Sequence, residues 1–424
     1  MVAQARGFAA QPTAEPVPRP PAFDPEAPPE TRFRLAPFLT FGVEVELEFE
    51  FEKNFDLDDA EDDDLAILTP ELSLAFSFDP SKYFRVFVNF ELLKDLALVE
   101  PETEERRVIL RLTQAYLSFK ELADGRLSLQ LGRQRFDDER EWLYDDELDA
   151  VRVFYRWSRL ELESSVSRRD LMKRDLFNAE NRERINNYIL YGKYDLTKDI
   201  MLAAYSLLRD DRSPDRERPI FFGLHSSGEI IDDFDYWLEL AHVRGRDGSR
   251  RIRGYGFDLG ASYESDLPLR PAVTVGYAFG SGDAERRGRV DRNFRQTGLQ
   301  DNEDRFHGVT SFKYYGELFD PELSNLQIFT AGVGIRPTRR SSIDLVYHYY
   351  LQHKASDEIR DTSIDADPTG LSKKLGSEID LIIGYEEMRH LEVKLALGYF
   401  IPGKAFAAAA DHAFFAGVEI EWGF

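Results

Sequence analysis

The 424-residue sequence contains no cysteine. A disulfide framework and a thiolate metal site are both excluded. Positive charge is also short: 54 Lys and Arg stand against 78 Asp and Glu, a formal net charge of −24. The basic footprint that holds nucleic acid is missing, and no nucleic-acid partner is expected. No apolar run reaches the roughly 18 residues of a membrane-spanning helix. This does not exclude a membrane, because closed barrels cross with strands that alternate.

What is present is alternation. "VEVELEFEFE" places Val43, Val45, Leu47, Phe49 and Phe51 on one face and Glu44, Glu46, Glu48, Glu50 and Glu52 on the other. Period two marks a β-strand with one apolar and one polar face. Comparable segments recur to the end, including "FRVFVNFE", "DYWLELAHV", "SIDLVYHYYL" and "LEVKLALGYF". Eighteen are found, or nineteen if His307–Tyr315 is added, and an even count closes a single-chain barrel. Residues 307–315 are therefore placed in a long loop.

The connections take turns. "KNFDLDDAEDDD", the stretch around "LVEPETEER", "SRRDLMKRDLFNAENRER", "RGRDGSRR", Gly280–Ser324 and the segment after His353 read as long. "DPSK", "RWSR", "LTKD", "SDLPLR", "PTRRSS" and "EMRH" read as short. Long loops at one end and tight turns at the other describe an up-and-down outer-membrane barrel. The expected fold is all-β, an antiparallel transmembrane barrel of about 18 strands over residues 38–424, after a flexible Pro/Ala-rich lead over residues 1–37. The glutamates of the first strand then face a water-filled lumen. On the lipid side each would cost a few kcal/mol near the midplane. Tyr347, Tyr349, Trp157 and Tyr263 suit aromatic girdles. Trp422 and the terminal Phe424 share a face of the last segment, the pattern of a barrel-insertion signal read by the assembly machinery.

Parity gives the lumen wall. Opposite the apolar residues lie Arg85, Arg152, Arg156 and Lys394. With them are Glu44, Glu46, Glu48, Glu50, Glu91, Glu161, Glu163, Asp258, Asp344, Glu378, Asp380, Glu392, Glu419 and Glu421, so the wall leans acidic. Arg133 and Arg135 share parity with Leu129 and Leu131. A bulge at Gly132 is expected to re-aim them inward. The acidic loops could hold Ca²⁺, although "DLDDAEDDD" lacks regular ligand spacing; no other cofactor is expected. The seven His show no zinc spacing, no G-x-S-x-G elbow occurs, and no enzyme is expected.

Several segments carry a resemblance. "LGRQRF", "RQTGLQDN", "GELFDPELSNLQ", "DLVYHYY", "GSEIDLII" and "GYFIPGKAF" resemble the alginate export porin family, in the family's order, from about residue 130 to the end. The resemblance implies an outer-membrane channel that passes an anionic exopolysaccharide by passive diffusion through an arginine-lined lumen, with periplasmic export partners. It carries over to Arg133, Arg135, Asp145 and Lys394. Thr113-Gln114 stands where such porins carry an Arg-Glu pair, and Lys313 is the strong base before "ELSNLQ". A diffusion porin for small solutes or cations is the alternative, favoured by the acidic wall.

Overall fold

The computed structural model describes residues 31–60, 63–100, 106–178, 184–213, 216–285 and 288–424. Long strands dominate: β1 (Leu39–Lys53), β2 (Leu65–Ser81), β3 (Phe84–Leu93), β4 (Ile109–Glu121), β5 (Leu127–Asp137), β6 (Asp145–Trp157), β7 (Leu160–Arg168), β8 (Ile185–Asp195) and β9 (Ile200–Asp211). Then follow β10 (Glu217–Ile231), β11 (Phe234–Asp247), β12 (Arg250–Glu264), β13 (Ala272–Gly280), β14 (Leu326–Thr338), β15 (Ser341–Gln352), β16 (Lys374–Tyr385), β17 (Leu391–Pro402) and β18 (Ala413–Gly423). Each pairs antiparallel with the next. β18 returns to β1 through Glu44↔Gly423 to Lys53↔Phe414, which closes an 18-strand barrel. Closure removes the two open edges that any flat sheet of these strands would expose.

Alternation sets the two faces. Val45, Leu47, Val151, Leu190 and Val273 are exposed on the outside, with Trp157, Tyr263 and Tyr347. Phe424 continues the ladder past β18 by exchanging backbone hydrogen bonds with Val43 (2.7 and 3.2 Å), and its ring lies tilted against Trp422 at 4.6 Å.

Long and short connections do alternate, with two exceptions: "LRDDRSPDRER", expected to be long, leaves only residues 212–216 between β9 and β10, and the second is at Gly248. "RGRDGSRR" is not a long loop: β11 and β12 run through it and turn at Gly248, whose φ is +52°. Its arginines lie on the β11–β12 ladder, which runs to Asp247↔Arg250, so apolar patterning stops before the strand does. Residues 307–315 belong to the connection 281–325, as expected, and contribute only Phe312–Lys313 to a small ladder with Glu303–Asp304. Most of the expected lead lies outside the described residues. Its last part, Phe33–Ala36, is a short strand paired with Leu39–Phe41.

The interior is not a plain tube. The connection 281–325 folds inward and packs on the inner faces of β11 to β17. Phe306 stacks on Trp237 (5.8 Å), Phe294 on Trp142 (6.0 Å) and Phe319 on Phe400 (5.1 Å). Inward glycines make the room: a Cβ on Gly256 would lie 2.6 Å from the Phe294 ring. Glu378 of β16 accepts the backbone N–H groups of Leu318 (2.7 Å) and Phe319 (3.0 Å), which pins the fold of this connection to the wall.

Candidate functional site: the charged lumen

Packing by the 281–325 connection divides the lumen. On the far wall Asp258, Asp344, Glu378 and Asp380 do face inward, but they are buried under it. Arg140, from the connection 138–144, is the keystone of that sealed half. It reaches Asp304 (2.7 Å) and Asp258 (3.1 Å) and lies over the rings of Trp237 and Tyr314. Its position in "DEREW" has no period, so no sequence pattern marks it.

The other half stays open. Glu44, Glu46, Glu48, Glu50 and Glu52 of β1, Glu71 of β2, Glu91 of β3 and Glu419 and Glu421 of β18 are all half-buried rather than sealed, and Glu392 of β17 is exposed. The register sets Glu46 between Glu71 and Glu421, and Glu48 beside Glu419. This is a continuous acidic wall.

Beside it runs a shorter basic strip, with Lys394 the cross-strand neighbour of Glu419. Lys394 of β17 lies 3.7 Å from Glu317 and 3.9 Å from Glu303, both on the folded-in connection. Lys313 of the same connection bonds Asp301 and lies 3.8 Å from Asp320. Arg135 completes the strip. It is half exposed, bonds Asp145 at 3.0 Å and lies 3.9 Å from Glu141.

Arg135 reaches the lumen by a route that parity did not show. The β5–β6 ladder runs unbroken from Leu127↔Tyr155 to Asp137↔Asp145, so Gly132 carries no bulge. Instead β5 parts from β4: the two pair only from Phe119↔Leu129 to Ala115↔Arg133. Above that point residues 174–176 take the vacated place beside β4, through Leu112 N–H to Arg174 O and Leu176 N–H to Leu110 O. The upper β5–β6 hairpin thus bends into the barrel. Gly132 is the hinge, with φ +125° and Ala115 O only 2.2 Å from a would-be Cβ.

The bend separates two arginines of one motif. Arg133 is not in the lumen. Its guanidinium grips Asp149 with two bonds of 2.9 Å and the carbonyls of Met172 and Leu112, fully buried between hairpin and wall. Arg152 is likewise buried and spent. It bonds Glu163 twice (2.7 and 2.8 Å) and lies over Phe136. Arg85 sits low on β3 with its Nε on Asp79 (2.7 Å), and Arg156 sits low on β6, half exposed, with its Nε on Glu161 (2.9 Å). The expected arginine track is therefore not one track: Arg135 and Lys394 border the open lumen, Arg85 and Arg156 the short-turn end, and Arg133 and Arg152 hold the wall together.

Carboxyls on the inward connections are shifted. Burial pushes Glu141 up to about 9, aided by Asp145, Glu303 and Asp301. Burial also raises Asp320 to about 7, and Glu317 to about 6 against the pull of Lys394. Oxygens of Glu141, Asp145 and Asp301 lie within 4.8 Å of one another. Arg135 already supplies positive charge to that group. In the acidic loop, Asp63 is occupied by the backbone N–H groups of Asn54 and Asp56.

A closed barrel with an apolar outer belt, a charged interior and an inward-folded long loop is a channel protein of the outer-membrane porin type. Solved structures agree in fold: OccK11 (OpdR) of Pseudomonas aeruginosa superposes with a TM-score of 0.59 at 13% identity, over 91% of this chain and 96% of that one. OccD1 (OprD) gives 0.57 at 11% identity, over 93% and 97%. By sequence, the alginate production protein AlgE of Pseudomonas aeruginosa is 29% identical over 175 residues, 38% of this chain and 35% of that protein. Its counterpart in Azotobacter vinelandii is 29% identical over 172 residues, 34% of this chain and 36% of that protein. Each match thus spans about a third of the relative's length. The alginate export family model matches residues 38–415, and the chain belongs to that family.

Proposed function

We propose that this protein resides in the outer membrane and passes an alginate-like anionic polysaccharide passively, without a catalytic step. The observation that carries the reading is the family match over residues 38–415, joined to an open half-lumen bordered by Arg135, Lys313 and Lys394. The geometry suits a cargo that must slide. Conduction needs attraction strong enough to admit and weak enough to release. A short basic strip attracts uronate carboxylates, while the acidic wall beside it keeps them from settling and holds their counter-ions. In this reading the outer belt meets lipid, Trp422 and Phe424 serve insertion by the barrel assembly machinery, and the short-turn end faces the periplasm and its export partners.

The acidic wall favours a second reading, a porin for cations or small solutes. Vesicles loaded with a labelled alginate oligomer and a small cationic dye separate the two. Release of both supports the export reading. Release of the dye with the oligomer fully retained supports the second.

A further inference from the structure

Besides the open half-lumen, the barrel holds a solvent-continuous cavity of about 80 Å³ at the short-turn end, inside β5 to β11. Its roof is the inward-bent hairpin, through Leu143 and Tyr144. Arg126, Arg156 and Lys193 line its mouth, and Phe154, Tyr191 and Tyr205 line its walls.

The charges in this cavity are unequally engaged. Deep inside, Glu163 is held by Arg152, Glu239 by His225, and Glu139 by the hydroxyl of Ser227 (2.8 Å). Asp138 accepts the N–H groups of Leu143 and Tyr144, both at 2.9 Å. Asp137 stands at the upper rim, beside Arg135. The mouth differs. The ladders align Arg156, Glu161 and Lys193 across β6, β7 and β8. Glu161 is taken by Arg156, and neither Lys193 nor Arg126 has an ion pair among the described residues. Two uncommitted cations thus flank the opening. Behind them Tyr205, buried to 6% exposure, closes the wall with its ring end packed over Gly223.

We propose that this cavity is a capture subsite for one carboxylate-bearing sugar unit at the short-turn mouth. Arg126 and Lys193 take the carboxylate, and Phe154 and Tyr191 meet the apolar ring face. Charge-assisted bonds to a carboxylate are the strong ones, and a few convergent polar groups over aromatic walls make a ligand pocket. The subsite rests on the export reading and deepens it. It gives a polyanion a foothold below the acidic wall, on the side from which export begins.

The test is single-channel current with alginate oligomers added to one side at a time. The native protein should be blocked from the short-turn side. The doubly substituted Arg126→Gln/Lys193→Gln protein should need about tenfold more oligomer on that side, with block from the long-loop side unchanged. Arg126→Lys/Lys193→Arg should restore block. Both side chains lie at the water-exposed mouth, and equal open-channel current shows that the variants are folded. Equal block of native and Gln variant overturns the subsite alone. No block of the native protein from either side overturns the cargo reading and the subsite with it.

Discussion

Arg133 and Arg135 are two residues apart and do different work. Arg133 neutralises a buried carboxylate, so Arg133→Met leaves Asp149 charged in a dry place. Breaking such a pair costs about 3–5 kcal/mol. Urea unfolding in lipid should show that loss, with ion selectivity unchanged among molecules that fold. Arg135→Gln removes a half-exposed lumen cation. It should leave unfolding near native and shift the reversal potential toward cations. The alternating sequence showed the parity of both residues and a reason to look at Gly132. It did not show that the hairpin leaves the wall, because that depends on residues 174–176 filling the gap, a contact remote in sequence. Lys193 was legible by parity in "YILYGKYD", but Arg126 sits in a turn with no period to reveal it. A pH dependence also belongs at this scale. Glu317, Asp320 and Glu141 titrate at about 6, about 7 and about 9. Each carboxyl is neutral below its value and anionic above. Cation preference should therefore grow stepwise from pH 6 to 9, and Glu141→Gln should remove the last step of a reversal-potential titration.

The connection 281–325 decides how much of the barrel conducts. As an element it is a folded insert, held by aromatic stacking, by Arg140 and by Glu378. Its residence in the lumen could not be read from the sequence, since its strand-like words "HGVTSFKYY" and its glycines suit a surface loop equally well. What did announce it, seen afterwards, is strand β12: Gly254, Gly256 and Gly260 fall on the inward face, where something must approach closely. Replacing residues 299–322 by a short Gly-Ser linker should raise single-channel conductance severalfold by reopening the far half. It should also bring Asp258 and Asp344 into contact with water. An unchanged conductance would mean that the far half contributes no path. The Gly132 hinge is the other controlling element. Gly132→Val would set a Cβ against Ala115 O in a backbone conformation that costs about 1–3 kcal/mol for a side chain. The heat-resistant folded band in gel electrophoresis should weaken accordingly.

For the whole molecule, the strand number, closure and faces follow from alternation and from the rhythm of loops, because every strand obeys the same two-sided solvent rule. The exception at Gly248 arises where charged residues continue the β11–β12 ladder and the rule lapses. The division of the lumen into a sealed half, an acidic wall and a basic strip is a property of tertiary packing, and only its acidic bias was visible beforehand. The function that follows for this divided lumen is passage of a polyuronate. Single channels in a planar bilayer test it directly, with alginate oligomers added under voltage. Transient block from the short-turn side is expected, with a duration that grows with driving voltage until passage shortens it. A current indifferent to the oligomers, yet blocked by a polyamine of similar length, would contradict it and leave the glutamates of β1 to set a cation path.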